Sequence, residues 1–330
     1  MGSGTMNPMG QLALEGMPRR LYACTPSRLT SWLDCPRRYR LTYLQRPPPA
    51  KGPPWAHNSL GAAVHNTLAN WWRLPVERRT TAAAGALLEA GWLVDGFRDD
   101  EQSARLRSRT RSIVEGYVAT LDPDDEPVGV ERTVGLRTDV VALSGRVDRL
   151  DLRDDAAGGE LVVVDYKTGR RLLATDDARS SLALAIYALA ASRVLRRPCR
   201  RVELHHLPSG SVVGWEHTGE SLGRQLRRAE SIAAELSAAD AVWRSVQRVD
   251  HGTEAEASAT ADSQAQLDEI FPPQPGPQCG WCDYRKHCPE GSRVAAARQP
   301  WDGLADEGAA RLSGGLADQE AAGPSGARAT

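Results

Sequence analysis

Residues 160–169 read ELVVVDYKTG. Four consecutive apolar residues bounded by charge form a strand covered on both faces, because a strand facing water on one side alternates apolar with polar. Alternation puts Asp165 and Lys167 on one face and Tyr166 on the other. A buried strand ending in a carboxylate and an ammonium needs a reason. Of the 41 basic residues only Lys51, Lys167 and Lys286 are lysines. A chain that carries almost all its positive charge on arginine keeps a compact ammonium at this strand end, which a guanidinium does not replace.

Upstream, LSGRVDRLDL places Asp148 on a neighbouring strand, with Val147 turned the other way. Two carboxylates on adjacent strands converge on one point, and a buried carboxylate is either ion-paired or bound to metal. Oxygen donors with open coordination positions suit Mg²⁺ or Mn²⁺. A lysine beside them orients an attacking water or offsets charge building on a phosphate. The plainer alternative is an Asp165–Lys167 ion pair that closes a strand end. The KTG triplet also occurs in penicillin-binding serine enzymes, but no lysine here has a serine three residues before it, which removes that reading.

The rest of the chain supplies elements for an α/β fold. Residues 1–26 read as a disordered amino terminus. Residues 27–125 read as a helical region, with Ser27 capping a first helix that has a turn or kink at Pro36, a stiff connector at 47–55, and helices near 59–73, 81–97 and 101–120. Residues 126–250 carry the strand pair 128–137 and 139–153, the buried strand 160–167, a packed helix at 180–195, a hairpin around Pro-Ser-Gly and a long helix from about 219. Residues 251–290 form a linker and a cysteine segment, and 291–330 read as a disordered tail.

In PQCGWCDYRKHC, Cys279, Cys282 and Cys288 are three clustered thiols, a metal site short of one ligand. His287 is a further ligand type in the same segment. Cys24 and Cys199 read as structural thiols, with Cys24 close enough to Cys35 in sequence to compete as a ligand.

The order G-R-V-D-R…V-V-V-D-Y-K-T-G resembles the RecB-type branch of the PD-(D/E)XK nucleases. LGAAVHNTLANWW resembles that branch's G-x-x-H helix, with one more spacer between Gly61 and His65. LALAIYALA resembles the helix after the active-site strands. C-P-R-R-Y-R with the late C-x₂-C-x₅-C resembles the iron–sulfur form found in AddB-like and Cas4-like nucleases. The resemblance implies a restriction-endonuclease-like core, a central mixed sheet flanked by helices. It also implies metal ligation by His65, Asp148, Asp165 and the Tyr166 carbonyl, with Lys167 as the catalytic lysine. Tyr187 matches the tyrosine of the family's Q-x-x-x-Y helix, whose glutamine position is Ala183 here. Cys35 is implied as the fourth thiolate beside Cys279, Cys282 and Cys288, for a [4Fe–4S] cluster or, alternatively, Zn²⁺.

A net charge of −1 does not mark a nucleic-acid binder, so any basic surface must be local. Arginines cluster at 28–46, 105–111 and 193–201, either as solvated helix faces or as phosphate contacts. Trp32, Tyr39 and Tyr43 among the first group either stack on bases or pack as helix core. No apolar run reaches a membrane span and the amino terminus lacks a signal-peptide core, which gives a cytoplasmic expectation. The function expected is a metal-dependent DNA nuclease, an exonuclease acting on single strands or duplex ends in repair or recombination. No P-loop occurs, so any motor is a separate helicase partner. The alternative is a non-catalytic iron–sulfur DNA-binding scaffold that keeps the fold.

Overall fold

A computed structural model describes residues 21–153, 158–249 and 264–304. Strands β1 (Tyr22–Cys24), β2 (Gly129–Arg137), β3 (Val141–Arg153), β4 (Glu160–Lys167), β5 (Arg201–His206) and β6 (Ser211–Glu216) form one mixed sheet. The order is β1-β3-β4-β5-β6, with β2 on the other edge of β3. The run 161–164 is the buried centre that its composition requires. Leu161 and Val163 pack on one face of the sheet, while Val162, Val164 and Tyr166 pack on the other.

The two faces are covered by different helices. On the first lie α1 (Pro26–Asp34), α2 (Pro36–Tyr39), α7 (Leu182–Leu195) and α8 (Gly219–Val249). The second is covered by α3 (Ala56–Trp72), α4 (Thr81–Ala90) and α5 (Asp100–Val118), through Trp71, Trp72, Leu88 and Val114. A short helix α6 (Thr175–Ser180) precedes α7, a further helix α9 spans 264–270, and α10 (Pro289–Val294) follows the cysteines. This is the α/β sandwich expected from the alternation of strands and helices. No helix among the described residues is long and apolar enough to cross a membrane.

Several sequence expectations need correction. Residues 1–20 and 250–263 lie outside the described residues, but 21–26 are ordered. β1 pairs in parallel with Val141–Leu143, and the Tyr22 hydroxyl donates to Asp240 on α8 at 2.8 Å. Thr25, not Ser27, caps α1, with Pro26 at the first helical position where its missing N–H costs nothing. Of the turn or kink expected at Pro36 the chain takes the turn, because Cys35 adopts an extended backbone, φ −172°. The third helix ends at Ala90 and not near 97, where Gly91 leads into a loop packed by stacked Trp92 and Phe97. The tail is packed as far as Leu304, which is buried against Ala56 and Leu106, while Ala56 N–H donates to the Pro300 carbonyl at 3.0 Å.

The arginine-aromatic segment resolves in favour of core. Tyr39 is fully buried, Trp32 meets Tyr39 and Phe271 edge-to-face, and Tyr43 packs on Tyr39. Their arginines are committed as well: Arg28 to Asp240, Arg37 to Asp268 and Glu290, Arg40 to Asp268. These groups fasten α1 and α2 to α8, α9 and α10, with Tyr39 wholly inside the core and Trp32 and Tyr43 packed against it.

Leu150 sits in β3 where β2 pairs on one edge and β4 on the other, and it is fully buried. Leu150→Ala is expected to lower unfolding free energy by about 2–5 kcal/mol in chemical denaturation. Leu152→Ala, at a side chain 37% exposed, is expected to stay within about 0.5 kcal/mol of wild type.

Candidate active site

The site lies where two strands part. β3 and β4 pair up to Arg149↔Val164 and no further, while β4 continues through Asp165, Tyr166 and Lys167 against β5. In the fork, the Asp148 carboxylate accepts a hydrogen bond from Tyr166 N–H at 2.9 Å, replacing the ladder bond the strands no longer make. The side-chain phase changes at the same place. Val147 and Leu150 share one core face although they are three residues apart, so β3 turns over once between them. β2 shows the matching change. Val130 and Val134 lie on opposite faces despite an even spacing, and between them Glu131 has φ +49°. A non-glycine residue in that region costs roughly 1–3 kcal/mol unless its surroundings impose it. Val130↔Arg149 and Arg132↔Val147 leave Glu131 opposite Asp148, so the two inversions coincide.

Helix α3 supplies the third group. It crosses the end of β4 at Gly61, where an added Cβ would lie 3.5 Å from the Thr168 hydroxyl. One turn on, His65 Nδ1 stands 3.4 Å from Asp148 Oδ2. His65, Glu131 and Asp148 each offer an atom, all within 4.8 Å of one another, and this group could hold a metal ion. Nitrogen and oxygen donors in this number suit a small divalent cation that keeps several waters. Asp165 stands outside that trio, with Lys167 Nζ 2.5 Å from its Oδ2. Tyr187 approaches from α7, its ring lying where a Cβ on Gly145 would sit, so the glycine makes room for it. Ala183, one turn earlier, brings no amide.

The electrostatics couple these groups. Burial raises the Glu131 pKa, and the charge of Asp148 raises it further against Arg146 and His65. Burial also raises Asp165, opposed by Lys167 and reinforced by Asp148. Burial alone would lower His65, but its bond to Asp148 and the charges of Asp148, Asp165 and Glu131 leave it raised. Tyr187 is pushed up to about 12 by burial and then by Asp165 and Asp148. Each carboxylate also has a basic partner, Arg146 for Glu131 at 2.6 Å, Lys167 for Asp165 and His65 for Asp148, so a divalent ion here would take over the compensation that these side chains supply.

Sequence reasoning brought His65, Asp148, Asp165, Lys167 and Tyr187 to one place and missed Glu131. Its only sequence signal was a carboxylate inside a strand, a common surface feature. Behind the site, Arg149 is buried over Trp72 and paired with Asp151 at 2.9 Å. Arg153 grips Glu203 through two bonds of 2.8 Å, and His205 links Glu203 to the Tyr117 hydroxyl. These ion pairs fix the sheet beneath the fork.

The cysteines form a second site. Cys35, in the break between α1 and α2, lines one small cavity of about 30 Å³ together with Cys279, Cys282 and Cys288. Backbone N–H groups point at the sulfurs: Arg38 and Gln274 at Cys35, Gly276 at Cys279, and Gly291 at Cys288, at 3.4–3.5 Å. A Cβ on Gly291 would lie 3.1 Å from Cys279 Sγ and 3.4 Å from Cys288 Sγ, so only glycine lets both approach. Cys24 is not a rival, being buried in the core with its thiol on the Thr25 carbonyl. Cys199 is buried elsewhere in the same core, and His287 Nε2 is taken by the Ala50 carbonyl at 2.9 Å.

An α/β sheet with a histidine–carboxylate group at a forked strand end, and a lysine beside it, defines a class of metal-site nuclease folds. The chain belongs to the PD-(D/E)XK nuclease superfamily, whose domain model matches residues 23–289. Among solved structures, one titled "Crystal structure of SSO0001" is similar at 12% identity, covering 84% of this chain and 90% of that one. Its TM-score of 0.29 carries no argument. No curated protein matches the sequence.

A divalent ion must displace the proton that its neighbours hold on His65. Mn²⁺ affinity is therefore expected to fall as pH drops through the raised His65 pKa. His65→Ala should bind more weakly and with a flatter pH profile, as read by calorimetric titration over about pH 5–8.

Proposed function

We propose that the protein is a Mg²⁺- or Mn²⁺-dependent deoxyribonuclease that degrades DNA from its ends, in the manner of the RecB-type branch. The observation that carries this is the His65–Glu131–Asp148 group standing beside the Asp165–Lys167 pair at one strand fork. His65, Glu131 and Asp148 would hold the ion, with Asp165 and the Tyr166 carbonyl completing its surroundings. When bound, the ion supplies Lewis-acid compensation of charge at the scissile phosphate.

The remaining chemistry belongs to side chains. Lys167 is tethered by Asp165 yet 45% exposed, so its ammonium can leave that pair and donate to the attacking water or to a phosphoryl oxygen. Asp165 fixes the direction from which it does so. Asp148 does double duty, since the oxygen that meets His65 also accepts Tyr166 N–H and so ties ligand geometry to strand geometry. The half-buried Tyr187 walls the site on the α7 side.

The Cys35, Cys279, Cys282 and Cys288 set is proposed to hold a [4Fe–4S] cluster as a structural staple. Iron–sulfur is preferred to zinc because C-P-R-R-Y-R and the late C-x₂-C-x₅-C resemble the iron–sulfur form of these nucleases, although four cysteines also suit zinc. The staple joins residues about 244 positions apart in sequence. A cytoplasmic location belongs to the same proposal, because such thiols persist where the compartment is reducing. We retain a separate helicase as partner, and the domain boundaries 27–125, 126–250 and 251–290 as working units.

Anaerobically purified protein is expected to cut end-labelled DNA with Mg²⁺ or Mn²⁺. Lys167→Ala should lower the rate by about 10²–10⁴-fold with unchanged circular dichroism, and Asp148→Ala and Asp165→Ala should abolish turnover. Cluster-loaded protein that binds DNA and cuts nothing with either metal would establish the scaffold reading instead, which the missing amide at Ala183 favours. Cys282→Ala should bleach the cluster absorbance and lower the melting temperature of the whole protein, because the ligands bridge α1–α2 to the carboxyl-terminal segment.

A further inference from the structure

Of the three basic partners at the fork, Arg146 is the most exposed, its side chain 70% open against 45% for Lys167 and 31% for His65. Its Nε stands 2.6 Å from Glu131 Oε2, and that carboxylate is only 14% exposed. Arg146 precedes Asp148 by two residues on β3, so alternation turns both side chains away from the buried Val147. Glu131, held opposite Asp148 at φ +49°, belongs to the ligand group with His65 and Asp148. One carboxylate thus has two claims on it, an arginine and a metal group. A guanidinium and a divalent ion on the same carboxylate repel each other at close range. An ion pair with so exposed a partner is weak, so Arg146 is the contact that yields. Burial pushes both Glu131 and Tyr187 up, and the Arg146 charge opposes the rise at each, so its charge acts on two walls of the site.

Resting on the nuclease reading, we propose that Arg146 is a catalytic residue that alternates between two anions: the Glu131 carboxylate while no cation is held, and the scissile phosphate once Glu131 serves as a ligand. A carboxylate left bare in a partly buried site is costly, and Arg146 covers Glu131 until that cost is met otherwise. The planar fork of a guanidinium then matches two phosphate oxygens through parallel hydrogen bonds, which an ammonium does not. The two exposed basic groups divide the work. Lys167, tethered by Asp165, serves the attacking water, and Arg146 offsets charge on the phosphoryl oxygens. Removing Arg146 frees Glu131 for a cation and takes a contact from DNA, so the two affinities move in opposite directions. An arginine that only braced β2 against β3 would weaken both when removed.

Calorimetric titration with Mn²⁺, and fluorescence anisotropy of a labelled oligonucleotide in saturating Ca²⁺ or in chelator, read the two contacts without turnover. Full-length wild type is compared with Arg146→Ala, Arg146→Lys and Arg224→Ala, each checked by circular dichroism. Arg224 is an exposed charge of α8 paired with Glu220, and it controls for the loss of one positive charge. Arg146→Ala is expected to bind Mn²⁺ about three- to ten-fold more tightly, the range of one exposed ion pair. It should also lose about three-fold or more of the oligonucleotide affinity that Ca²⁺ adds in wild type. Arg146→Lys should restore the wild-type Mn²⁺ affinity but only part of the oligonucleotide affinity, and Arg224→Ala should change neither. Wild type that takes up no Mn²⁺, an Arg146→Ala variant whose Mn²⁺ affinity is unchanged or weaker, or a Ca²⁺-dependent oligonucleotide affinity that ignores Arg146 would overturn the proposal. The expected pattern in a protein that cuts no DNA would uphold the exchange and remove the nuclease reading. Cleavage that needs Lys167, without that pattern, would overturn the exchange and keep the nuclease reading.

Discussion

The hydrogen bond from Tyr166 N–H to Asp148 connects the architecture to the chemistry. Two antiparallel strands that separate leave backbone donors and acceptors exposed in a low-dielectric interior, and an unmade bond there is costly. Here a side-chain carboxylate closes the gap on one side. The same oxygen faces His65, so the geometry that satisfies the backbone also sets the distance between two candidate ligands. A shift of β4 against β3 would break the ladder substitute and the ligand group together.

Around that bond, the chain accepts strain and like-charge repulsion that an ordinary strand would shed. Glu131 is held at positive φ directly opposite Asp148, and Asp165 adds a third carboxylate nearby. Like charges facing one another across a ladder destabilise it. The price is tolerable only because the surrounding sheet is heavily fixed, with Arg149, Asp151, Glu203 and Arg153 bonded behind it and Trp72 packed over Arg149. The result is a rigid frame in which each carboxylate is held beside a basic partner, Arg146, Lys167 or His65.

The cysteine site works on a larger scale. Its ligands come from a break between two short helices and from a segment after α9, elements that otherwise meet through Arg37, Arg40 and Asp268. Closing a loop of that length on the proposed metal core would constrain the unfolded chain strongly. It would also hold the carboxyl-terminal segment in place. The cysteine segment meets α3 through Trp281, which packs on Trp55 just before that helix and lies beside Gly303.

Much of this was legible in the residues. The apolar run 161–164 could only be a covered strand, alternation put Asp165 beside Lys167, and short cysteine spacing demanded a ligand site. These are local properties, and period and spacing fix them. The order of motifs added His65 and Cys35, which no local rule would pair with Asp148 or Cys282. What the sequence could not show was where the alternation fails. The paired inversion at Glu131 and Asp148 depends on two strands bending together, so a period of two read along either strand misplaces its side chains. The arginines and aromatics of 28–46 likewise carry the same letters whether they meet DNA or Asp240 and Phe271. Burial decides between those, and burial arises only when distant elements pack.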